Sequence, residues 1–520
     1  MKLLTAEQMV NVDRITIENG TPGIELMRNA GEEVYLFMER TLDSSQPVVV
    51  ISGKGNNGGD GFRVAELLLK NGWKVEIFLL GEKGAVRGDA ARCLTEFEKG
   101  GGVVVEVSGP EMPLELTEEI ASAGSIVDAT FGTGLKGEVI GFPAKIIEAI
   151  NASGAAVVAV DIPSGVNATT GEASSASVQA DYTVTFGCPK AGHVFQPGRV
   201  KSGEVHVVDI GFSGEVIAEV EPLGNVLTQS EAAMLLPKQS YDAYKGSVGK
   251  VLVLAGSVGM TGAATLSSRA ALRVGAGVVT VGCPESLNDI LEVKITEVMT
   301  MPLPEVGKKR CLSLRALGRV RAMAREADVV AIGPGLGMYH ETVEMVRRFI
   351  VSYEGRVILD ADGINAFKDA PEALAGISCE MVLTPHYGEL SRITGKAIPE
   401  ISGDPVAAAR ETAHALGQIV LLKGSPTIIA DPEGTVWINS TGNEGMATAG
   451  MGDVLTGILA GFAAQGCSLF DAAVLGAYVH GLAGDHAAEK RGIHGMISGD
   501  VLGFLPNVLN ELELLSHKLN

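Results

Sequence analysis

Val48-Val-Val-Ile-Ser-Gly-Lys-Gly-Asn-Asn-Gly-Gly-Asp-Gly61, followed by an apolar helical stretch and then Lys74-Val-Glu-Ile-Phe-Leu-Leu80, decides the fold. The segment reads strand, glycine loop, helix, strand within the roughly 30 residues of a βαβ unit, which demands parallel pairing and a right-handed crossover. Working outward, further Val- and Ile-rich runs alternate with amphipathic stretches: Ser125–Ala129, Ala155–Asp161, Tyr182–Phe186 and Glu204–Asp209. A second series follows from Lys250, with Val251–Ala255, Val278–Val281, Val329–Ile332, Val357–Asp360, Met381–Thr384 and Ile419–Leu422 as strands. Helices are expected around Asp453–Ala464, Asp471–Arg491 and Val501–Leu515. Strands that alternate with helices predict α/β architecture in both halves.

A chain of 520 residues exceeds what one hydrophobic core usually supports, so two domains are expected. The segment from Gly211 to Gln229 lacks a sustained period and carries turn residues, which places the boundary there. The predicted organisation is a first domain at 1–212, a linker at 213–229 and a second domain at 230–520. A formal charge of −21 with no basic stripe argues against nucleic acid or anionic membranes as partners. The six cysteines are scattered without a C-x-x-C pair, as reduced structural thiols would be. The N-terminus has no apolar signal region and no run reaches membrane-spanning length, so a soluble, cytoplasmic protein is expected.

The loop Gly53–Gly61 satisfies G-x-G-x-x-G, the dinucleotide fingerprint, but Gly132–Gly137 matches it too. The acidic residue a Rossmann site wants at the end of the second strand is missing there, because Glu76 falls mid-strand. Asn56, Asn57 and Asp60 instead crowd oxygen ligands into the loop, which favours a hard cation beside a polar ligand. A phosphate-plus-cation site, an ordinary dinucleotide site and a structural turn all stay open on these residues. Three more loops leave strand ends, where open α/β sheets place ligands. They are Asp128–Glu138, Asp161-Ile-Pro-Ser164-Gly-Val-Asn167 and Gly187-Cys-Pro-Lys190. Asp128 and Asp161 each close an apolar strand, and a strand-terminal Asp alone can simply cap a turn.

In the second half, Asn443-Glu-Gly-Met-Ala-Thr-Ala-Gly-Met-Gly-Asp-Val-Leu-Thr-Gly457 runs a glycine-rich turn into a helix, whose first N–H groups and dipole make an anion site. Asp453 sits where that anion would bind. It is either a helix cap or a base that takes a proton from an attacking hydroxyl. Asp360-Ala-Asp362 offers two carboxylates able to hold Mg2+, and Lys423-Gly-Ser-Pro-Thr427 puts an ammonium at a strand end. Gly333–Gly337 and Thr384-Pro-His386-Tyr-Gly-Glu389 also follow short strands. No Walker motif is present.

Asn56–Gly61, Gly132–Gly137 and Val160-Asp-Ile-Pro-Ser-Gly165 together resemble the YjeF N-terminal family, the NAD(P)HX epimerases. The resemblance implies a Rossmann-like three-layer domain with K+ on Asn57, Asp128 and Ser164. It implies substrate contacts from Asn56, Asn57, Gly58, Gly59 and Asp60, from Gly132, Thr133, Gly134, Leu135, Lys136, Gly137 and Glu138, and from Asp161. Asp161 and Lys136 are the expected acid–base pair for reversible loss of hydroxide at a carbon next to nitrogen. Lys245–Lys250, Met260–Ala263, Arg273–Gly277, Thr384–Glu389, Lys423-Gly424 and Thr448–Asp453 resemble the YjeF C-terminal family, the ADP/ATP-dependent NAD(P)HX dehydratases of ribokinase-like fold. That resemblance implies hydrate contacts at Ala263, Gly337, His386 and Asp453. Nucleotide contacts are implied at Lys423, Gly424, Ser425, Pro426, Thr427 and Gly452, with Mg2+ and ADP or ATP. Ser247 and Val248 stand in the Lys-Gly-x-x-Gly loop where the commoner pattern has a tyrosine.

The expected function is bifunctional repair of NADHX and NADPHX, an isomerase fused to a lyase, in a homo-oligomer. The alternative is a vitamin-precursor-type small-molecule kinase fused to a nucleotide-sensing domain, which would release a stable phosphorylated product.

Overall fold

The computed structural model describes every residue except Pro110, Gln239 and Asn520. It contains two compact units, Met1–Gly224 and Asn225–Asn520.

The first unit is built on seven strands: β1 (Val48–Ser52), β2 (Val75–Leu80), β3 (Val104–Val107), β4 (Ser125–Ala129), β5 (Ala156–Val160), β6 (Tyr182–Phe186) and β7 (Glu204–Val208). They lie in the order β3-β2-β1-β4-β5-β6-β7, and every pair is parallel. Parallel sheets need both faces covered, and β1 meets that need residue by residue. Val48 and Val50 pack with Met27, Val34, Phe62 and Leu68 of the helices Gly23–Thr41 and Asn56–Lys70. Val49 and Ile51 face the other way, onto Leu116, Ile120, Ile146 and Ile150 of the helices Leu114–Ser122 and Phe142–Ala152. The strand order reverses between β1 and β4, and a crevice at such a reversal is where α/β sheets bind ligands.

The second unit carries β8 (Lys250–Leu254), β9 (Val278–Pro284), β10 (Met299–Leu303), β11 (Val329–Ile332), β12 (Arg356–Leu359), β13 (Glu380–Leu383), β14 (Ile419–Leu422), β15 (Thr427–Ala430) and β16 (Val436–Asn439). Their order is β16-β15-β14-β13-β12-β11-β8-β9-β10. The run from β14 to β10 is parallel, whereas β14–β15 and β15–β16 are antiparallel. One face is covered by the helices Thr261–Arg273, Met451–Ala464, Leu469–Arg491 and Ser498–Leu519, the other by Leu317–Ala324 and His340–Val351. Here the order reverses between β8 and β11.

Gly457 sets how closely two of those helices approach: a Cβ there would stand 2.0 Å from the Ser267 carbonyl oxygen. Arg356, at the start of β12, donates to the carbonyls of Ala463 (2.7 Å) and Cys467 and so caps the far end of the helix Met451–Ala464. Among the described residues no helix is long and apolar enough to cross a membrane.

Candidate active sites

In the first unit, the glycine loop turns tightly enough to bring β1 and β4 loops together. A Cβ on Gly53 would sit 2.0 Å from the Thr130 carbonyl oxygen, and one on Gly58 would sit 1.9 Å from that of Gly53. The loop opens the helix Asn56–Lys70 with Asn56 exposed, Asn57 half-buried and Asp60 buried. Asn57 packs against Gly132, and its amide nitrogen is buried without a partner. Asp128, at the end of β4, is fully buried. It accepts from Ser164 N–H (2.7 Å), Ser164 Oγ (2.7 Å) and Thr130 N–H (3.2 Å). Burial pushes its carboxyl up, and no basic side chain pairs with it among the described residues. Asp128 and Ser164 are thus joined by hydrogen bonds, and Asn57 lies against Gly132 of the loop that follows Asp128. A buried carboxylate with an oxygen-rich surround and no countercharge is a setting that a monovalent cation fits.

Asp161 follows β5 with φ of +66°, the left-handed region, which few non-glycine residues adopt. The conformation is fixed by its N–H on the Val184 carbonyl (2.8 Å), and it turns the carboxylate onto Lys190. Lys190 Nζ reaches Asp161 Oδ1 at 2.5 Å, Thr185 Oγ1 at 2.8 Å and the Phe186 carbonyl at 3.2 Å, so all three ammonium protons are used. Burial pushes the Asp161 carboxyl up, yet the Lys190 charge and hydrogen bond hold it below its ordinary value. His193 Nδ1 accepts from Lys190 N–H (3.0 Å), which leaves Nε2 to donate to the Asp161 carbonyl (2.9 Å). Burial and the Lys190 charge depress that imidazole to about 4, so it stays neutral.

The lysine in direct contact with Asp161 is therefore Lys190 and not Lys136, the partner expected from the sequence. Lys136 is exposed on the loop after β4, while the lysine on Asp161 comes from the loop after β6. The sequence signal was Lys190 itself, a lysine at a strand end. Two more carboxyls face the pair. Asp60 is pushed well above its usual range by burial, then by the Asp161 and Asp13 charges. Asp13, on the helix Ala6–Glu18, is raised to about 6 by desolvation among its neighbours and by Asp161. Gly132, Thr133, Gly134, Leu135 and Gly137 share the loop that Glu138 ties down by accepting from Ser174 Oγ (2.9 Å) and Ser175 N–H (3.1 Å).

In the second unit, three adjacent strands β12, β13 and β14 deliver Asp360, Thr384 and Lys423 to one edge. Asp360 is 1% exposed. It accepts from Lys423 Nζ (2.7 Å), Thr384 Oγ1 (2.7 Å) and Thr456 Oγ1 (2.7 Å). Three of the lone-pair sites of that carboxylate, which the sequence reads as a Mg2+ ligand beside Asp362, are thus engaged by protein donors. Ala361 between them has φ of +46°, a strained conformation for a residue with a Cβ. The turn sends Asp362 the other way, onto the Gly337 N–H (2.8 Å). Gly335 of the same loop packs on Met260 and Ala263, which brings Ala263 and Gly337 to the reversal between β8 and β11.

Asp453 lies in the first turn of the helix Met451–Ala464, after Gly450 at φ +91°. Burial raises its carboxyl to about 7, Asp360 and Asp362 add to that, and Lys423 opposes it. A Cβ on Gly452 would lie in ordinary contact with Lys423 Nζ, 3.5 Å away, so the helix start and the lysine face each other. Burial works against the Lys423 charge, but Asp360 and Glu389 outweigh it and hold its pKa above the ordinary value. His386 caps the helix Tyr387–Thr394. Its Nδ1 accepts from Gly388 N–H (2.9 Å), and Glu389 returns the bond to the His386 N–H (2.9 Å). Gly424 and Ser425 are exposed and Pro426 is buried, while Thr427 opens β15 rather than continuing the loop.

Lys245–Lys250 is placed elsewhere. Gly249 abuts Ala464 and Lys245 abuts Gly277, at the N-terminal ends of β8 and β9 and so at the opposite end of the sheet from Asp453. Among the described residues no cluster of three or more His, Cys, Asp or Glu could hold a metal by itself.

Comparison with known proteins adds to this geometry. Residues 23–192 match the family described as YjeF-related protein N-terminus, and residues 251–507 match NAD(P)H-hydrate dehydratase. The bifunctional NAD(P)H-hydrate repair enzyme Nnr of Moorella thermoacetica is 43% identical over 99% of this chain and 97% of its own. Its counterpart from Thermofilum pendens is 37% identical over 98% and 97%. The ADP/ATP-dependent NAD(P)H-hydrate dehydratase from Bacillus subtilis, crystallised with ATP/Mg2+, superposes with a TM-score of 0.47. It is 29% identical over 56% of this chain and 99% of that one.

Proposed function

The chain belongs to the family of bifunctional NAD(P)H-hydrate repair enzymes, and from that premise we propose that its two sites act in sequence on one damaged cofactor. The first unit interconverts the R and S hydrates of NADH and NADPH. The second transfers a phosphoryl group from ADP or ATP to the hydroxyl of the S hydrate. Loss of phosphate with a proton from the neighbouring ring carbon restores the reduced cofactor and leaves AMP or ADP. The carrying observation is that the two sites differ in kind. Asp161 and Lys190 form a buried ion pair suited to moving water, while Asp453 and Lys423 sit at a helix start suited to phosphate.

In the second site Asp453 takes the hydroxyl proton and the N–H groups of Ala449–Gly452 meet the phosphoryl oxygens. Lys423, with Gly424, Ser425, Pro426 and Thr427, holds the nucleotide. Ala263, Gly337 and His386 hold the hydrate. Mg2+ comes with the nucleotide, and Asp362, which accepts from the Gly337 N–H alone among the described residues, is the freer of the two carboxylates Asp360 and Asp362 to meet it. Phosphoryl transfer asks mainly for such positioning and charge. In the first site K+ is held by Asn57, Asp128 and Ser164. The hydrate lies against Asn56, Asn57, Gly58, Gly59 and Asp60 and the loop from Gly132 to Glu138, with Asp161 at its reacting carbon.

The test is to incubate the chain with mixed hydrates and ADP or ATP, following the absorbance of the reduced cofactor. Recovery of both epimers supports both assignments. Recovery of half supports the second alone. A stable phosphorylated product would favour a small-molecule kinase.

A further inference from the structure

Reversing the configuration of a hydroxyl next to a ring nitrogen requires that hydroxyl to leave and a water to return. The departing oxygen needs a proton, because hydroxide is a poor leaving group, and the incoming water must lose one. The Asp161–Lys190 pair can receive a proton but has none to give: Asp161 is ionised against the ammonium, and Lys190 spends all three donors on protein oxygens. His193 is occupied on both ring nitrogens. The proton donor must be another group facing the same cleft.

Asp60 has the properties required. It lies in the second turn of the helix that the glycine loop opens, and it is 8% exposed. No hydrogen bond or ion pair reaches its carboxyl from any described residue. The charged groups that bear on it are Asp161, Asp13 and Lys190, with the Cys93 thiol of the helix Gly88–Lys99 alongside. A carboxyl enclosed by protein, unpartnered and flanked by two other carboxyls is pushed toward its protonated form. Two carboxyls whose surroundings drive them apart, one ionised and one protonated, divide into base and acid.

We propose that Asp60 is the proton donor of the first site, a role that rests on the epimerase reading above. Its carboxylic acid gives its proton to the C–OH oxygen. The C–O bond breaks with its electron pair leaving on water, and the ring-nitrogen lone pair forms the C=N bond of a planar cation. Water then adds to either face, the nitrogen recovers its pair, and the Asp161 carboxylate takes the released proton. Exchange through water returns that proton to Asp60. No oxidant, reductant or further co-reactant enters the balance.

The experiment supplies the pure R hydrate with excess ADP, so that reduced cofactor appears only after epimerisation, and compares wild type with Asp60→Asn and Asp60→Glu. Asparagine keeps size and polarity but carries no transferable proton. The expected result for Asp60→Asn is a kcat lower by about 10²–10⁴ with KM near wild type, while Asp60→Glu recovers part of the rate. The S hydrate supplied directly gives the control for the second unit, and circular dichroism gives it for folding. Infrared difference spectra of unaltered protein at neutral pH should carry a protonated-carboxyl band that Asp60→Asn lacks, a readout independent of the variant's activity. A kcat for Asp60→Asn within about threefold of wild type, a change confined to KM, or no such band would overturn the proposal. Failure of wild type itself to process the R hydrate would instead sink the epimerase reading.

Discussion

Lys423 Nζ stands 2.7 Å from Asp360 Oδ1, and no other lysine or arginine pairs with that carboxylate among the described residues. The pair joins stability to chemistry. Asp360 is almost fully enclosed, so deleting the ammonium strands a charge in the protein interior. Removing one partner of such a pair typically costs about 3–5 kcal/mol. Lys423→Met should therefore lower the second unit's midpoint in urea as well as abolish dehydration. A variant that loses activity with an unchanged midpoint would show that Lys423 serves the nucleotide alone.

Asp161→Asn should stop epimerisation while leaving dehydration of the S hydrate intact, because the two sites belong to separate compact units. Lys190→Met should be harder on the fold than on the geometry, since it removes the charge that offsets the burial of Asp161. The check is a paired assay of both activities on each purified variant. Loss of both activities in folded Asp161→Asn would refute the division of labour.

The Asn57–Asp128–Ser164 cluster predicts a potassium effect that can be read without substrate. A ligand that binds only the folded state stabilises it, by about 2.7 kcal/mol at a hundredfold excess over Kd. Thermal unfolding in KCl should exceed that in tetramethylammonium chloride at equal ionic strength, and Asp128→Asn should erase the difference. Equal melting of the unaltered chain in both salts would rule the cation out.

Much of this was written in the sequence, and what was hidden has a physical reason. Buried parallel strands are continuous apolar runs, so β1, β4 and β5 announce themselves. β3 does not: it is an edge strand that follows Gly100-Gly-Gly102 and carries an exposed Glu106. β15 and β16 escaped because Thr427 reads as the end of a ligand loop, although it pairs antiparallel with Asn439. Asp161 and Asp453 were legible because glycine-rich turns mark their positions. Which carboxylate each buried lysine meets was not. Lys190 is 29 positions from Asp161, and Lys423 is 63 from Asp360. Only strand order brings such pairs together, and local pattern does not encode strand order. The contacts of Glu389 with Lys423 and of Thr456 with Asp360 were hidden for the same reason.

Asp453 gives the sharpest pH test. Its carboxyl titrates at about 7 rather than 3.8, chiefly through burial and then through Asp360. If it takes the hydroxyl proton, only its ionised form works, so kcat/KM for dehydration should rise as pH passes upward through 7 and then level. Asp453→Asn should lose about 10²–10⁴ in rate, show no such limb, bind nucleotide near-normally and epimerise as before. Stability should move the opposite way. The folded pKa is raised above the unfolded one, so the folded chain holds this proton more tightly than the unfolded chain does. That contribution is complete below the unfolded value and is lost as pH rises through about 7. Asparagine cannot ionise, so Asp453→Asn should gain stability relative to wild type from pH 4 to pH 7 and hold the gain above. Chemical denaturation of both proteins across that range measures it. A mutant that dehydrates at the wild-type rate, with a stability difference independent of pH, would leave Asp453 as nothing more than a residue of the first helical turn.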